Sequence, residues 1–382
     1  MGKLKTGIIG MGYIGESHID AVRRIHFCEL TAIADVNAEL ARQKAEIYGV
    51  PKCYDSVDAL LADPEIQVVH NCTPNFLHTE INAKILRAGK HLISEKPLAG
   101  TYEDAMRLVE IKKDFPQLAA CVNYNYRMNP LVLEMKARID RGEAGDLRVV
   151  TGTYQQDWLT DDTDYSWRLE PAMAGISCAV ADIGTHWMDC VQFVTGEKIT
   201  EVMADLTTVI PVRKKPRRQT ETFTAGSGAY DEVLIQNEEC ASVLFHMTGG
   251  IRGVFHVSEV APGHGCYLNF EVNGSKTSMR WNQEEADRLW IGRRDGDNSY
   301  VLRSPGTVDP SVRPYTSLAM GHPEGWNDAF RNNLMCMYRW IDSGMQGTAP
   351  FATLEEAAYL EKLVDSIVKS SKERRWVSLN EE

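Results

Sequence analysis

The chain has 382 residues, of which 43% are hydrophobic and 25% charged, with a net charge of −12 at pH 7. That is the composition of a globular protein with room for two cores, and it excludes disorder and a bulk nucleic-acid partner, which would require a basic surface. Nine scattered cysteines with no CxxC pair fit reduced thiols better than a disulfide framework or a zinc site, and no stretch reads as a signal peptide or a membrane span, so a cytoplasmic protein is expected.

LKTGIIG is a short apolar strand and ESHIDAVRRI follows with helical periodicity. Between them lies Gly10-Met11-Gly12-Tyr13-Ile14-Gly15, a GxGxxG in the strand-to-helix context that gives the motif meaning. The first glycine allows the tight turn, the second lets a pyrophosphate approach the backbone, and the third lets helix and strand pack closely. The phosphates then meet unpaired amides at a helix N-terminus. The second strand, ELTAIADV, ends in Asp35 about twenty residues after Gly15, where an acid accepts from ribose hydroxyls and repels a 2′-phosphate, so NAD is expected rather than NADP.

NAELARQKAEIYG reads as a helix closed by Gly49, and VVHNCTP as the end of a third strand carrying Cys72, Thr73, Pro74 and Asn75. His78 begins the following helix, FLHTEINAKILRAG. HLISEKP is strand and loop, placing Glu95 and Lys96 over the same crevice, although a lone lysine there reads first as a surface residue. TYEDAMRLVEIKKD is a helix and QLAACVNY a strand. This alternation predicts a parallel sheet with right-handed crossovers and a dinucleotide-binding domain over residues 1–125.

The pattern changes over residues 126–382. MNPLVLEMKARIDRG is helical, LRVVTGTYQQDW is a strand, and SCAVADIGTHWMDCVQFV reads as a helix with Val180, Ile183, Trp187, Val191 and Val194 facing a core. Asp182 and His186, four residues apart, would share one face about 6 Å apart along the axis. A core histidine satisfied by a neighbouring acid explains them as well as a functional pair does. Arg213-Lys214-Lys215-Pro216-Arg217-Arg218 reads as an exposed loop with a solvated charge run. DEVLIQ, ASVLFHM, IRGVFHVSEV, YLNFEVNG and DRLWIG alternate as strands separated by Gly249-Gly250 and Asn273-Gly274, predicting a largely antiparallel sheet, open on one face and covered by helices on the other. His246, His256 and His264 fall in this region at irregular spacing and suggest no metal triad. FATLEEAAYLEKLVDSIVKSS closes the pattern as an amphipathic helix over about 354–371, with a Thr353–Glu356 capping box. Exposed edges of such a sheet predict self-association as a homodimer or homotetramer.

GMGYIG, ADV, CTPNFLH, SEKPLA, VNYNYRMNP and DIGTHWMD together resemble, in order and spacing, the glucose–fructose oxidoreductase / inositol dehydrogenase / MocA family, and the resemblance covers essentially the whole chain. It implies an α/β Rossmann domain followed by an α+β domain on a large, mostly antiparallel open sheet, with the nicotinamide between them. It also implies that Lys96, Asp182 and His186 are the catalytic residues. A narrower likeness, carried by TYQQDWLTDDTDYSWR and GHPEGWNDAFRN, is to the subgroup of levoglucosan dehydrogenase and glycoside 3-oxidoreductases, which oxidise a sugar ring at C3. By that likeness Tyr126, Gln156 and Trp158 would line a sugar site, and Trp167, Arg168 and Asn123 would close on the nicotinamide end. His322 would add a rim contact, although a local structural role beside Pro323 accounts for it too.

Oxidising a secondary alcohol requires a proton acceptor and a means of holding oxyanion charge. Histidine, with an ordinary pKa of about 6.5, suits the first role and a lysine ammonium the second, while Asp182 could orient the imidazole or pair with Lys96. The reverse assignment, with Lys96 transferring the proton and His186 positioning, stays open, and no metal is required. The expected activity is therefore NAD(H)-dependent oxidation of a ring hydroxyl of a sugar or glycoside at C3. The alternatives are an inositol or aldose C1 dehydrogenase, an NAD-dependent glycosidase using transient C3 oxidation, and a non-catalytic NAD-binding regulator.

Overall fold

The computed structural model describes residues 3–217 and 229–380, and the chain divides into two units. The first runs to Asn125 and takes in Asn327–Glu361; the second is Tyr126–Trp326 together with the chain from Lys362 on.

In the first unit the elements are β1 (Leu4–Ile9), α1 (Tyr13–Arg23), β2 (Cys28–Ala34), α2 (Ala38–Ile47), β3 (Lys52–Tyr54), α3 (Val57–Ala62), β4 (Val68–Asn71), α4 (His78–Arg87), β5 (His91–Ser94), α5 (Tyr102–Lys113) and β6 (Ala120–Val122). All six strands are parallel, in the order β3-β2-β1-β4-β5-β6. The order reverses between β1 and β4, so the crevice that binds ligands in such sheets opens at the carboxyl ends of these two strands. Asn37 caps α2 by accepting from the Leu40 amide at 3.1 Å, and Thr101 caps α5 through the Asp104 amide at 3.2 Å. Strand β3 and helix α3 are additions to the sequence reading, each too short to show a period of its own.

The chain returns to this unit through the helix Trp326–Asp342. Its Phe330 ring stands edge-on to His18 at 4.8 Å, and its Tyr338 hydroxyl lies 2.6 Å from Thr6 Oγ1. Ala352 then bridges to Val122, whose amide donates to the Ala352 carbonyl at 2.9 Å. The capping box forms: the Thr353 amide donates to Glu356 and the Glu356 amide to Thr353 Oγ1, at 3.1 and 3.2 Å.

The second unit contains α6 (Pro130–Asp140), β7 (Leu147–Gln155), α7 (Pro171–Ala174), α8 (Thr185–Thr195), β8 (Ile199–Thr207), β9 (Val212–Pro216), β10 (Tyr230–Leu234), β11 (Cys240–Met247), β12 (Arg252–Ser258), β13 (Tyr267–Gly274), β14 (Thr277–Asn282), β15 (Arg288–Arg293), β16 (Ser299–Leu302) and β17 (Val377–Ser378). Nine strands make one sheet in the order β16-β15-β14-β13-β7-β12-β11-β8-β17, antiparallel except for the β7–β12 pair. Residues alternate across it as a half-buried sheet requires: Ala241, Val243, Phe245 and Met247 are buried, and Leu244 between them is exposed. Trp187 of α8 lies on the covered face, stacked on Phe255 at 4.6 Å, with its indole N–H on the Asn269 carbonyl.

Two expectations are corrected here. The segment read as one regular helix begins with a π-helical turn, Val180–Gly184, before α8. Asp182 lies within that wider turn and His186 in the first turn of α8. The basic run is not an exposed loop either. Residues 212–216 form β9, paired with β10, and Arg213 is fully buried, with Nη1 on the Asp161 and Asp164 carbonyls at 2.8 and 2.9 Å and Nη2 on Glu239 at 2.8 Å. A guanidinium tolerates burial where its fork of donors meets carbonyls and a carboxylate together. Lys214 pairs with Asp162 and Lys215 with Glu170, both at 2.7 Å, and Arg218 lies outside the described residues.

Candidate functional site

Each glycine of the first motif meets the demand placed on it. Gly10 follows β1 at φ +93°, and a Cβ there would stand 2.6 Å from the Cys72 carbonyl oxygen. A Cβ on Gly15 would come within 2.2 Å of the Gly10 oxygen, so this glycine fixes how closely α1 approaches the strand. Gly12, the N-cap residue of α1, is the opposite case: nothing lies within 4 Å of its Cβ position. The open side of Gly12 at a helix N-terminus is what a pyrophosphate needs, so these residues fit a dinucleotide. Tyr13 is exposed, and Ile14 packs into the cluster of Ile8, Met11, Ile19, Ile33, Val50 and Cys72. Asp35 follows β2 and accepts from the Met11 and Asn37 amides, both at 2.8 Å, which ties the glycine turn to the end of the second strand.

The carboxyl ends of β4, β5 and β6 add the remaining predicted groups of this unit. Thr73 donates its hydroxyl to Asn71 at 2.7 Å, Pro74 and Asn75 lead into a short 3₁₀ turn, and Cys72 is buried, its thiol pushed up by desolvation and then by the charge of Glu95. His78 is fully buried, with Nδ1 2.6 Å from the Pro97 carbonyl and Nε2 2.7 Å from that of Thr73. It thus joins the loop after β4 to the loop after β5. Burial holds its imidazole below the usual value, against the pull of the two carbonyls. The Glu95 carboxylate accepts from the Lys96 amide at 3.3 Å and from Asn123 Nδ2 at 2.6 Å; Asn123 is itself buried and held by Asn333. Lys96 is half-buried and precedes a cis peptide bond to Pro97.

Asp182 and His186 belong to the second unit. Asp182 Oδ1 lies 3.3 Å from Arg168 Nε, and the Arg168 guanidinium stands over the rings of Trp167 at 4.6 Å and Trp158 at 6.0 Å. The Trp158 indole donates to Gln156 Oε1 at 3.1 Å while the ring packs on Leu159, Leu169, Cys178 and Ile235. Gln156, Trp158, Trp167, Arg168 and Asp182 therefore form one cluster. His186 is buried and stands edge-on to Tyr126 at 4.9 Å. The Tyr126 hydroxyl is engaged by Tyr154 at 2.7 Å and by Cys266 Sγ at 3.1 Å, so Tyr126 presents its ring and not its hydroxyl to the histidine. Burial, and then the Cys266 thiol, keep the Tyr126 hydroxyl protonated far above neutral pH. His322 is exposed, in a turn whose carbonyl is held by Arg303 at 2.6 Å. Of the sheet-region histidines, His246 lies on Glu201 and His256 on Ser242, and among the described residues no cluster of metal-ligating side chains occurs.

Sequence reasoning does not find Glu259, Cys178, Tyr154 or Cys266 in the second unit, nor His18 and His70 in the first. Glu259 is fully buried and accepts from the Cys178 thiol at 3.2 Å; desolvation, and then the charge of Asp182, push its carboxyl well above the ordinary range. A single buried acid in a strand-end segment carries no spacing signal. His18 had one faint sign, a polar residue between Gly15 and Ile19 on the buried face of α1.

Two family models match the chain: the oxidoreductase family, NAD-binding Rossmann fold, of GFO/IDH/MocA over residues 4–120, and the GFO/IDH/MocA C-terminal domain over 132–280. A levoglucosan dehydrogenase of Pseudarthrobacter phenanthrenivorans is 29% identical, with 99% of each chain covered. An inositol 2-dehydrogenase of Rhizobium meliloti is 26% identical, covering 98% of this chain and 99% of its own. Among solved structures, a levoglucosan dehydrogenase in complex with NADH and L-sorbose aligns over all of both chains, with a TM-score of 0.90 and 28% identity.

Proposed function

Since the chain belongs to the GFO/IDH/MocA oxidoreductase family and is an NAD-dependent sugar dehydrogenase by that membership, we propose that it oxidises a secondary ring hydroxyl of a sugar or glycoside at C3. The observation that carries this reading is the pair of clusters around Asp182 and His186. One cluster offers aromatic faces (Trp158, Trp167), an amide (Gln156) and a paired carboxylate, and the other a buried imidazole against the Tyr126 ring, which together are the chemistry a sugar ring requires. The narrower sequence likeness supports C3, and the similarity to levoglucosan dehydrogenase supports a sugar substrate.

NAD, when bound, supplies the hydride acceptor. His186 accepts the hydroxyl proton as the carbon is oxidised, and Lys96 holds the charge that develops on the oxygen. Arg168 keeps the Asp182 carboxylate oriented, and the Tyr126 ring fixes the imidazole plane. Gly10, Gly12, Gly15 and Asp35 hold the dinucleotide, with Thr73, Pro74, Asn75 and His78 shaping the loop beside it. The similarity to inositol 2-dehydrogenase favours a second reading, in which the substrate is an inositol. The nine cysteines, none of them in a disulfide, suit a reducing cytoplasm, and no helix among the described residues is long and apolar enough to cross a membrane. Met203, Leu244 and Val254, directly paired across β8, β11 and β12 and exposed, offer an apolar row for a homodimer or homotetramer, which light scattering tests.

The experiment is a spectrophotometric screen with NAD against levoglucosan, glucosides, free aldoses and inositols, with the oxidised carbon identified afterwards. Turnover of a glycoside at C3, abolished in Lys96→Ala and His186→Ala with NADH binding retained, is the expected result. Turnover confined to inositols moves the assignment to the second reading, and full activity in either variant overturns the catalytic roles.

A further inference from the structure

Behind Glu95 lies a chain of buried polar groups. Its carboxylate Oε1 is 2.8 Å from His18 Nε2; His18 Nδ1 is 2.7 Å from His70 Nδ1; His70 Nε2 is 2.7 Å from the Tyr338 hydroxyl; and that hydroxyl is 2.6 Å from Thr6 Oγ1. Thr6, His18, His70 and Tyr338 are all fully buried in the first unit.

The Glu95 end of the chain sets the direction of its bonds. Asn333 Nδ2 donates to Asn123 Oδ1, so Asn123 offers its own amide N–H to Glu95 Oε1. The Lys96 amide donates to the other oxygen. Glu95 is thus an acceptor on both sides, and a carboxylate has nothing else to offer. His18 must then donate from Nε2. Two facing Nδ1 atoms can share only one proton; a singly protonated His18 accepts there, so that His70 donates from Nδ1 and accepts at Nε2 from Tyr338, which accepts from Thr6. Burial, and then the facing His18, hold the His70 imidazole well below its usual range, in keeping with a single ring proton there. The chain ends at Thr6, which solvent does not reach, so it serves as a fixed support and not as a route for protons.

We propose that His18 is a positioning residue for Lys96: its Nε2–H fixes the Glu95 carboxylate that receives the Lys96 amide, and the His70–Tyr338–Thr6 chain fixes the tautomer of His18. This rests on the catalytic role proposed for Lys96.

Two substitutions separate the halves of the ring. In His18→Gln the amide nitrogen can stand in for Nε2 and keep the bond to Glu95. In His18→Asn the shorter amide stands in for Nδ1, keeping His70 and losing Glu95. With a sugar that the screen shows to be turned over, His18→Gln is expected to keep kcat within about threefold, and His18→Asn to lose on the order of ten- to a hundredfold in kcat with little change in the KM for NAD. Both variants remove one buried hydrogen bond and are expected to melt at similar temperatures. Equal loss of kcat in the two would overturn the proposal, since a merely structural histidine makes no such distinction. Nitrogen NMR of ¹⁵N-histidine-labelled wild-type protein gives a readout that needs no substrate: His18 protonated at Nε2 alone and His70 at Nδ1 alone. The opposite tautomers, or a doubly protonated His18, would also overturn it. If no sugar is turned over, the proposed function fails and the nitrogen shifts alone decide this proposal. If neither variant folds, the wild-type spectrum still decides, with Tyr338→Phe expected to move chiefly the His70 Nε2 signal.

Discussion

Arg168 and Asp182 are ion-paired in the second unit, Nε to Oδ1 at 3.3 Å, and both interact with the buried Glu259, whose carboxyl is pushed well above the ordinary range by desolvation and then by Asp182. Two acids near one guanidinium make the cation the element that keeps the cluster together. Arg168→Met is expected to destabilise the protein by about 1–3 kcal/mol. Arg168→Lys is expected to recover only part of this, because an ammonium lacks the planar fork. Urea unfolding monitored by tryptophan fluorescence checks both, and a wild-type midpoint for Arg168→Met would show that the pair contributes nothing.

The contrast between Gly10 and Gly12 separates folding from binding. Gly10→Ala puts a Cβ 2.6 Å from a carbonyl oxygen at φ +93°, and is expected to cost about 1–3 kcal/mol of stability as well as NADH affinity. Gly12→Ala meets nothing within 4 Å, so its stability is expected to stay within about 0.5 kcal/mol of wild type. Its NADH affinity is nonetheless expected to fall on the order of tenfold, because the methyl group occupies the approach of the phosphates. Thermal melts beside NADH fluorescence titrations read the two effects, and wild-type binding by Gly12→Ala would remove the phosphate from that position.

Acid sensitivity has a specific source in His91. Burial lowers its imidazole from 6.5 to about 4, and its Nδ1 accepts the Ala119 amide at 2.9 Å, a bond that only the unprotonated nitrogen can make. Between these two values the unfolded chain binds a proton that the folded chain does not. The contribution is therefore complete above pH 6.5 and is lost as pH falls to about 4. Its size is up to about 3 kcal/mol. In His91→Asn, whose Oδ1 can accept the same amide, the fall in stability over this window is expected to flatten. An unchanged slope in unfolding measured from pH 7 to 4 would assign the acid sensitivity elsewhere.

The glycine turn, Asp35 and the β–α alternation were legible because each depends on neighbours in sequence: a motif of six residues, a strand end, a helical period. The π-helical turn at Val180–Gly184 was not legible, since its residues have helical spacing and only the packed structure shows the extra residue in the turn. Arg213 read as surface because burial of an arginine depends on acceptors at Leu159, Asp161, Asp164 and Glu239, all distant in sequence. Asp182 and His186 could be singled out by their spacing, but a catalytic role for them together with Lys96, from a separate segment, could be named only through a family likeness. The Glu95 support was hidden altogether, as it draws His18, His70, Asn123, Asn333 and Tyr338 from four separate segments.

The return of residues 327–361 to the first unit also orders events during synthesis. When the ribosome has made Asn125, all six parallel strands exist, yet Tyr338, Asn333 and Ala352 are still to come, and His70, Asn123 and Val122 must wait for them. The nucleotide-binding half can begin to fold early but cannot finish until the intervening unit has been translated, so a fragment cut at residue 125 would carry the whole glycine motif and still lack the parts that complete its interior.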